Sequence, residues 1–206
     1  LDANSIILGS GSDQVFELAC KAFLSKRDEV VVSQFSFIIY RIYSKFNSAK
    51  ITYAPENYFT TSVDNILSCV NRKTKIVFIA NPNNPTGTKI TISQIKYLLS
   101  KIPKNILLVI DEAYAEYNTD ANYQTALKLV NSGAENVIVL HTFSKIYGLG
   151  ALRVGWGYAS SHIINTLDKL RGVFTVSTPA QAAAEAAIQD NYHIQKSIEH
   201  NNKWGT

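Results

Sequence analysis

The strongest constraint on the fold is a series of short apolar runs separated by segments with helical periodicity. Several of these runs are apolar on both faces, as strands must be when helices cover both sides of their sheet. We predict strands at EVVVS (29–33), near 50–53, and at KIVFIA (75–80), ILLVI (106–110), NVIVL (136–140) and RVGWGYA (153–159). This alternation of strands and helices predicts a three-layer α/β/α domain with a mostly parallel central sheet.

Helices are predicted between these strands and after the last of them. Near the N-terminus, Ser12 or Asp13 can cap a helix that carries one apolar face. Thr91 can cap a second helix, which a proline follows. Two more helices are expected, near 162–171 and over 179–190. The last of these is rich in alanine, so we expect it to pack closely against its neighbours.

Composition and charge are those of an ordinary globular protein. Of the 206 residues, 46% are hydrophobic and 17% are charged, which excludes an intrinsically disordered chain. The formal net charge of +4 is small and the lysines are scattered among carboxylates, so nothing indicates a nucleic-acid-binding surface. No apolar run approaches the ~18 residues that a membrane-spanning helix needs.

The cysteines and the chain ends bear on location and completeness. Cys20 and Cys69 are far apart and lack any CxxC spacing, so free thiols in a reducing compartment are favoured over a disulfide. The first ten residues lack the basic flank of a signal peptide, and we therefore expect a cytoplasmic protein. The chain has no methionine and ends just after an unfinished helical pattern, so we expect it to be part of a longer protein.

Three polar motifs lie where a sheet of this kind binds ligands, at the carboxyl ends of its strands. GSGSD (9–13) precedes a helix whose N-terminal N–H groups can hold a phosphate, although a plain turn explains it about equally well. ANPNNPTG (80–87) and DEAY (111–114) each follow a strand directly. Taken singly, ANPNNPTG can be an ordinary polar loop, and Asp111 of DEAY can be a helix cap. A buried aspartate is costly, however, unless it meets a cation or several donors.

The stretch HTFSKIYGLGALR (141–153) places a lone lysine between a serine and a glycine-rich segment. Lys145 is either a solvated charge in a surface loop or an amine held for covalent chemistry, with Arg153 beside it. Asn84, Asp111 and Lys145 each follow a different predicted strand, so we expect them to project into one cleft. This convergence favours covalent chemistry.

Together the motifs resemble those of the fold-type I pyridoxal-phosphate aminotransferases of the class II group. The resemblance rests on GSGSDQVFELACKAF (9–23), NPNNPTG (81–87), DEAYAEY (111–117) and TFSKIYGLGALRVGWGYA (142–159). Within the group the chain is most similar to the histidinol-phosphate aminotransferases. The resemblance implies pyridoxal 5'-phosphate as cofactor, a homodimer, and a large cofactor-binding domain over 1–190, with 191–206 connecting to a C-terminal small domain.

The resemblance also implies roles for the residues around the cofactor ring. Lys145 would bind the cofactor covalently and later transfer a proton, which requires a desolvated amine that can be neutral. Asp111 would keep the ring nitrogen protonated. Asn84 and Tyr114 would hydrogen-bond the phenolic oxygen of the ring. Phe37 would stack on the ring at a position where relatives carry tyrosine, so no hydroxyl contact is expected from it.

The cofactor phosphate is expected to lie at the start of the first helix. The groups implied to bind it are the backbone N–H groups of Ser12 and Asp13 and the side chains of Thr142, Ser144 and Arg153. Arg153 would act as a bidentate clamp, and no other arginine in the chain fits the motif. This set of donors is what a phosphate group requires.

Other polar and aromatic residues receive structural interpretations. Tyr40 is expected to pack within a helix. His141 is expected to support the structure rather than to act as a base. His162, His193 and His200 are expected to face solvent, and no pair of histidines has the spacing of metal ligands with a carboxylate. No metal is therefore expected.

The function implied is transamination, as a histidinol-phosphate:2-oxoglutarate aminotransferase of histidine biosynthesis with glutamate as amino donor. One alternative is another class II enzyme, an aromatic aminotransferase or a threonine-phosphate decarboxylase. A second alternative is a non-catalytic domain that keeps the fold for binding, which the intact Lys145, Asp111, Asn84 and Arg153 disfavour. The family's substrate-binding arginines belong to the small domain, so these residues carry the cofactor machinery without the groups that select the substrate.

Overall fold

The computed structural model describes residues 1–205 and contains one seven-stranded sheet. In chain order the strands are β1 (Ile6–Gly9), β2 (Glu29–Ser33), β3 (Lys50–Ala54), β4 (Thr74–Ala80), β5 (Leu107–Asp111), β6 (Val137–Thr142) and β7 (Gly155–Ala159). Across the sheet they lie in the order β1-β7-β6-β5-β4-β2-β3. Strands β2 to β6 pair in parallel, whereas β7 is antiparallel to both β1 and β6. The mostly parallel sheet is confirmed.

Helices cover both faces of this sheet. They are α1 (Gly11–Phe23), α2 (Ile38–Phe46), α3 (Val63–Cys69), α4 (Ile92–Lys101), α5 (Leu127–Asn131), α6 (Ser161–Asp168), α7 (Thr178–Gln189) and α8 (Asn191–Trp204). One apolar core joins the sheet to α1, α2 and α6, and a second joins it to α3, α4 and α5. Alternate strand residues enter the two cores, as Val77 and Phe78 of β4 do, because successive side chains of a strand point to opposite faces. The three-layer α/β/α prediction is confirmed.

Local sequence signals set some element ends and not others. Thr91 forms a capping box with Gln94 at the start of α4, as the sequence predicts. The cap predicted for α1 is wrong, because the helix begins at Gly11 and Ser12 and Asp13 lie inside its first turn. Three elements lack a sequence prediction: the four-residue strand β1 and the short helices α3 and α5. Each is too short to show a clear period.

The end of the chain is helical. Helices α7 and α8 meet at Asp190, whose side chain caps α8 by accepting a hydrogen bond from the His193 N–H. Buried alanines of α7 pack on the segment after β6, as expected for this alanine-rich helix. The assignment of 191–206 as a connector stays a prediction, and Thr206 lies outside the described residues. Across residues 1–205, we find no helix that combines the length and the apolar character of a membrane span.

Candidate active site

One cavity of about 150 Å³ lies at the carboxyl ends of β5 and β6, against the N-terminus of α1. All ten residues that the sequence assigns to the cofactor site line it: Ser12, Asp13, Phe37, Asn84, Asp111, Tyr114, Thr142, Ser144, Lys145 and Arg153. Phe16 and Ala113 complete the lining. Residues from five separate segments of the chain therefore meet in one place, as the strand-end positions predict.

One end of the cavity is built to hold an anion. Arg153 Nη1 donates hydrogen bonds to Ser144 Oγ at 3.2 Å and to the Gly150 carbonyl at 3.0 Å, and this fixes the guanidinium beside the first turn of α1. The first N–H groups of a helix have no partner within the helix. Together with the helix dipole and the arginine charge, they form a binding site for a phosphate or a carboxylate.

Two glycines allow these groups to approach each other. Gly11, with φ +75°, lies so close to Arg153 that a Cβ would be 2.4 Å from Nη2. A Cβ on Gly155 of β7 would be 2.1 Å from the backbone nitrogen of Ser12. The start of α1 is therefore packed directly on β7, and only residues without a side chain permit it at these positions.

Thr142 and Asp13 make protein contacts that limit what their side chains offer a ligand. Thr142 Oγ1 accepts a hydrogen bond from the Ser144 N–H at 3.1 Å and so shapes the turn before Lys145. The Asp13 carboxylate accepts a hydrogen bond from the Tyr43 hydroxyl at 2.7 Å. Burial and this contact raise the pKa of Tyr43. What Asp13 presents to an anion is its backbone N–H, as the sequence analysis expects.

Asp111 also lines the cavity and is a buried carboxylate with two hydrogen-bond donors. Its Oδ2 accepts from the Tyr40 hydroxyl at 2.6 Å, and its Oδ1 accepts from the Ala113 N–H at 3.0 Å. Burial raises the pKa of Asp111, and the two hydrogen bonds and the charges of His141 and Lys145 oppose that effect. A cationic partner would favour the ionised form further, so this carboxylate suits a protonated ring nitrogen.

Tyr40 is a site residue that the sequence analysis places in helix packing alone. Its ring is fully buried and stacks on Phe78 with centroids 5.0 Å apart, which confirms the packing role. Its edge also meets Phe37 at 6.0 Å, and its hydroxyl contacts Asp111. No local pattern indicates that hydrogen bond, because the two residues lie 71 positions apart. Only the docking of α2 on the sheet brings them together.

Lys145, Tyr114 and Asn84 lie on the open side of the cavity. Lys145 Nζ is 5.3 Å from the centroid of the Tyr114 ring, and Asn84 Nδ2 is 3.5 Å from the Tyr114 hydroxyl. The expectation of a desolvated Lys145 is wrong for this structure, since the side chain is exposed. The reason is its position in a turn after β6, facing the mouth of the cavity rather than its floor.

A second cavity of about 600 Å³ adjoins the first and shares Asn84, Tyr114 and Lys145 with it. Tyr117 and Lys89 are among its other lining residues. The amine of Lys145 therefore faces two connected spaces, a narrow one that ends in the anion-binding groups and a wider one open to solvent. The wider space has room for a small-molecule substrate beside the lysine.

His141 is buried next to the site and lies between two carboxylates. Nδ1 is hydrogen-bonded to Glu116 Oε1 at 3.1 Å, and Nε2 lies 3.2 Å from Glu112 Oε2, an ion-pair contact rather than an aligned hydrogen bond. Burial alone would lower the pKa of His141, but the two glutamates outweigh it and raise the pKa to about 9. The supporting role expected for His141 is consistent with this placement. The two glutamates of DEAYAEY, after a buried strand, are the sequence signal for a cationic partner.

The remaining three histidines, His162, His193 and His200, are exposed, as expected. His193 also makes a contact that the sequence does not indicate: its Nε2 lies 3.0 Å from the carbonyl oxygen of Ile146 and joins α8 to the turn that follows Lys145. Over residues 1–205, no three His, Cys, Asp or Glu side chains form a group suited to a metal ion.

Comparison with known proteins places this arrangement in a family. The family model described as "Aminotransferase class I and II" matches residues 1–203. Histidinol-phosphate aminotransferase of Rhodopseudomonas palustris (strain TIE-1) is 44% identical over 204 residues, covering 99% of this chain and 56% of that protein. The enzyme of the same name from Pelagibacter ubique (strain HTCC1062) is 46% identical over 200 residues, covering 97% of this chain and 55% of its own length.

Solved structures give the same picture. A putative histidinol-phosphate aminotransferase from Erwinia carotovora atroseptica superposes with a TM-score of 0.92 at 28% identity, over 98% of this chain and 59% of that one. Histidinol-phosphate aminotransferase from Sinorhizobium meliloti, solved in complex with pyridoxal-5'-phosphate, gives a TM-score of 0.88 at 26% identity. This superposition covers 95% of this chain and 53% of that one. The chain thus spans just over half the length of the relatives that it matches.

Proposed function

The chain belongs to the aminotransferase class I and II family, and from this premise we propose that it is the cofactor-binding part of a pyridoxal-phosphate-dependent transaminase. The observation that carries the proposal is that the exposed Lys145, the buried Asp111 and an anion-binding helix start line one cavity. A surface loop would not require these three features together. The proposed site residues are the ten that line this cavity.

Each chemical group of pyridoxal phosphate has a matching partner among the residues that line the cavity. Arg153, Ser144 and the start of α1 form a donor set for the phosphate. The buried Asp111 matches a protonated ring nitrogen, and its charge needs such a partner. Phe37, about one-third exposed, presents an aromatic ring at the cavity, and Asn84 and Tyr114 offer hydrogen bonds to the phenolic oxygen.

Each residue then has a defined task. When bound, the cofactor supplies an aldehyde that joins amino groups covalently and a ring that accepts electrons from the substrate Cα. Lys145 Nζ would hold the cofactor and, once the substrate amine has displaced it from the cofactor, would be free to take the proton from that Cα. An ionised Asp111 would hold a proton on the ring nitrogen. Closure of the wide cavity by further residues would exclude water and desolvate the lysine that is exposed here.

We infer histidinol phosphate and 2-oxoglutarate as the substrate pair, within histidine biosynthesis. In the direction that forms histidinol phosphate, glutamate would be the amino donor. Relatives that carry this name at 44% and 46% identity over nearly the whole chain support the inference. They also favour it over an aromatic aminotransferase, a threonine-phosphate decarboxylase or a non-catalytic domain. The intact set of Lys145, Asp111 and Arg153 supports an active enzyme.

The same family membership supports proposals on organisation. We propose that 1–190 forms the large domain, that 191–206 leads to a small domain, and that the complete enzyme is a homodimer. Helices α7 and α8 meeting at Asp190 support the boundary. The two free cysteines, one buried and one half-buried, support a reducing compartment and thus the cytoplasm.

Borohydride trapping tests the proposed function. The full natural chain, loaded with pyridoxal phosphate and reduced, should carry the cofactor on the peptide that contains Lys145. Lys89, which lines the adjoining cavity but pairs with Asp120, is the matched control and should stay unmodified. Lys145→Ala should abolish both trapping and turnover, while Lys89→Ala should still trap. Trapping on a different lysine would contradict the proposal. So would a protein that stays colourless after loading with pyridoxal phosphate and before reduction.

A further inference from the structure

The environment of His141 fixes the protonation of its ring. A neutral imidazole carries one N–H, so one of its nitrogens presents a lone pair. Here both nitrogens face carboxylate oxygens, Glu116 Oε1 at 3.1 Å and Glu112 Oε2 at 3.2 Å. A lone pair against a buried carboxylate would be repulsive at that distance. The geometry therefore favours a proton on each nitrogen, which is the imidazolium form.

The other contacts of this cluster are arranged for the same charge. The imidazole ring stacks on the indole of Trp156, its register partner on β7, with centroids 4.5 Å apart and planes 10° apart. An aromatic face attracts a cation. Glu112 is fully buried and accepts hydrogen bonds from the Thr125 hydroxyl and, at 2.7 Å, from the Ala126 N–H. Both oxygens of Glu112 are therefore held in place by donors, which fixes the carboxylate against the His141 ring.

The two glutamates flank the proposed cofactor-binding tyrosine. Glu112 lies two residues before Tyr114 and Glu116 lies two residues after it, on the 3₁₀ turn Ala115–Tyr117. The backbone of this segment leaves β5 and returns past His141, so the imidazolium holds it at both ends. Its charge also lowers the pKa of the neighbouring Asp111. One buried cation therefore acts on two groups of the site.

We propose that His141 is a positioning residue, an imidazolium through neutral pH that clamps the Glu112–Glu116 turn so that Tyr114 faces Lys145 and Asp111 stays ionised. The consequence for the cofactor rests on the proposed function, whereas the clamp itself is a property of the fold. His141 touches neither the cavity nor a reacting atom. Its effect passes through Tyr114 and Asp111.

The charges that face His141 come from each element packed on it. The segment at the end of β5 contributes Asp111 and Glu112, the following turn contributes Glu116, and β7 contributes the uncharged indole of Trp156. Two carboxylates thus contact the ring, and a third is close enough to feel its charge. This excess of negative charge keeps the ring protonated through neutral pH.

NMR titration of the histidine ring carbons tests the protonation directly, in the full natural chain with or without pyridoxal phosphate. The His141 resonance, assigned by its loss in His141→Gln, should not titrate between pH 6 and pH 8. A histidine-containing model peptide, whose pKa is about 6.5, is measured in the same buffers as the reference. Titration of His141 in step with that peptide would overturn the proposal.

Hydrogen exchange tests the clamp without reference to the cofactor. In His141→Gln, the amides of Ala115 and Tyr117, which bond to the carbonyls of Glu112 and Tyr114, should exchange at least tenfold faster, while those of α4 stay unchanged. His141→Arg keeps a cation that can reach both carboxylates and should restore slow exchange. Equal exchange in all three proteins would overturn the clamp. If His141→Gln fails to fold, Glu116→Gln replaces it and should lower the pH at which His141 titrates.

Cofactor binding separates this proposal from the proposed function. His141→Gln should weaken pyridoxal phosphate binding at least tenfold and shift the pH dependence of the bound cofactor's absorbance, and His141→Arg should recover most of the loss. His162→Gln should bind as the unaltered protein does. If that unaltered protein takes up no cofactor while His141 stays protonated and the turn exchanges slowly, the proposed function fails and the clamp stands. Normal affinity and absorbance in a folded His141→Gln would overturn the coupling to the site.

Discussion

At the scale of single residues, the contact between Tyr40 and Asp111 determines how readily the carboxylate ionises. Asp111 is buried, and burial favours its neutral form, while the 2.6 Å hydrogen bond from the Tyr40 hydroxyl favours the charged form. A transaminase of this kind needs the charged form, because a neutral acid cannot hold a proton on the ring nitrogen. Tyr40 is therefore part of the electrostatics of the site although it lies outside the cavity.

Tyr40→Phe should move the acidic limb of the turnover profile to higher pH. The change removes the donor and raises the pKa of Asp111 further, so the ionised form is lost earlier as the pH falls. Unfolding should become easier by about 1–3 kcal/mol, the cost of removing a hydrogen bond to a buried charged group. The measurements are a pH–rate profile and denaturant unfolding of the full natural chain.

Tyr43→Phe is the matched control for that change. Tyr43 lies on the same helix and also donates to a carboxylate that lines the cavity, but to Asp13 rather than Asp111. Tyr43→Phe should leave the acidic limb of the turnover profile at the same pH. An unshifted limb in Tyr40→Phe would show that the hydroxyl does not influence Asp111.

The residues whose convergence the sequence predicts are those that follow strands. Asp111 stands directly after an apolar run and Lys145 lies in the turn after another, and the sheet brings such positions together whatever the details of packing. Tyr40 lies on a helix, where its partner depends on how that helix docks. The exposure of Lys145 likewise depends on what covers the loop, which local patterns do not encode.

At the scale of elements, the junction of α1 with β7 and Arg153 is the most restrictive. The sequence motif GSGSD marks the junction but does not reveal where the helix begins, because serine and aspartate are favoured as caps and also in the first turn. Gly11, with φ +75°, decides the outcome. It begins the helix at a position where the arginine leaves no room for a side chain.

Gly11→Ala should weaken binding of pyridoxal phosphate more than binding of pyridoxal, which lacks the phosphate. The new Cβ would be 2.4 Å from Arg153 Nη2 and would displace the guanidinium. The positive φ adds a backbone cost of about 1–2 kcal/mol. Spectroscopic titration with each compound gives the two dissociation constants, and we expect the ratio to change about tenfold.

Gly133→Ala separates strain from displacement. Gly133 also has a positive φ, +87°, but no atom lies within 4 Å of its Cβ position. The Gly133→Ala variant should lose about as much stability as Gly11→Ala does. It should still bind pyridoxal phosphate in preference to pyridoxal. An equal loss of preference in both variants would mean that backbone strain, rather than the arginine, controls the anion site.

At the scale of the whole molecule, the stability should depend on pH through His141. Its pKa is raised from 6.5 to about 9 in the folded state. A raised pKa contributes stability that is fully present below about pH 6.5 and is lost as the pH rises through about 9, at up to about 1.4 kcal/mol per unit of pKa difference. The buried tyrosines whose pKa is raised act only at more alkaline pH.

Unfolding free energies measured from pH 6 to pH 9.5 check this dependence. The unaltered protein should lose stability steadily across that range. His141→Gln should be less stable at pH 6 and nearly flat above it, so the two curves converge at the alkaline end. Parallel curves would show that another group is responsible for the dependence.

The fold as a whole follows from the sequence more fully than its edges do. Runs such as KIVFIA and ILLVI require cover on both faces, and this alone determines a layered α/β arrangement. The antiparallel edge made by β1 and β7 depends on Gly155 and Gly157, which let α1 and β1 approach β7 closely. This close packing depends on α1, β1 and β7 together. No one of the three segments therefore shows it as a hydrophobic pattern in its own sequence.

The hydrogen bond from His193 to the Ile146 carbonyl has a mechanical consequence. Ile146 is the neighbour of Lys145 along the backbone, so this bond links the last helix of the described chain to the turn that carries the lysine. A displacement of α8 would therefore either break the bond or shift the backbone of that turn.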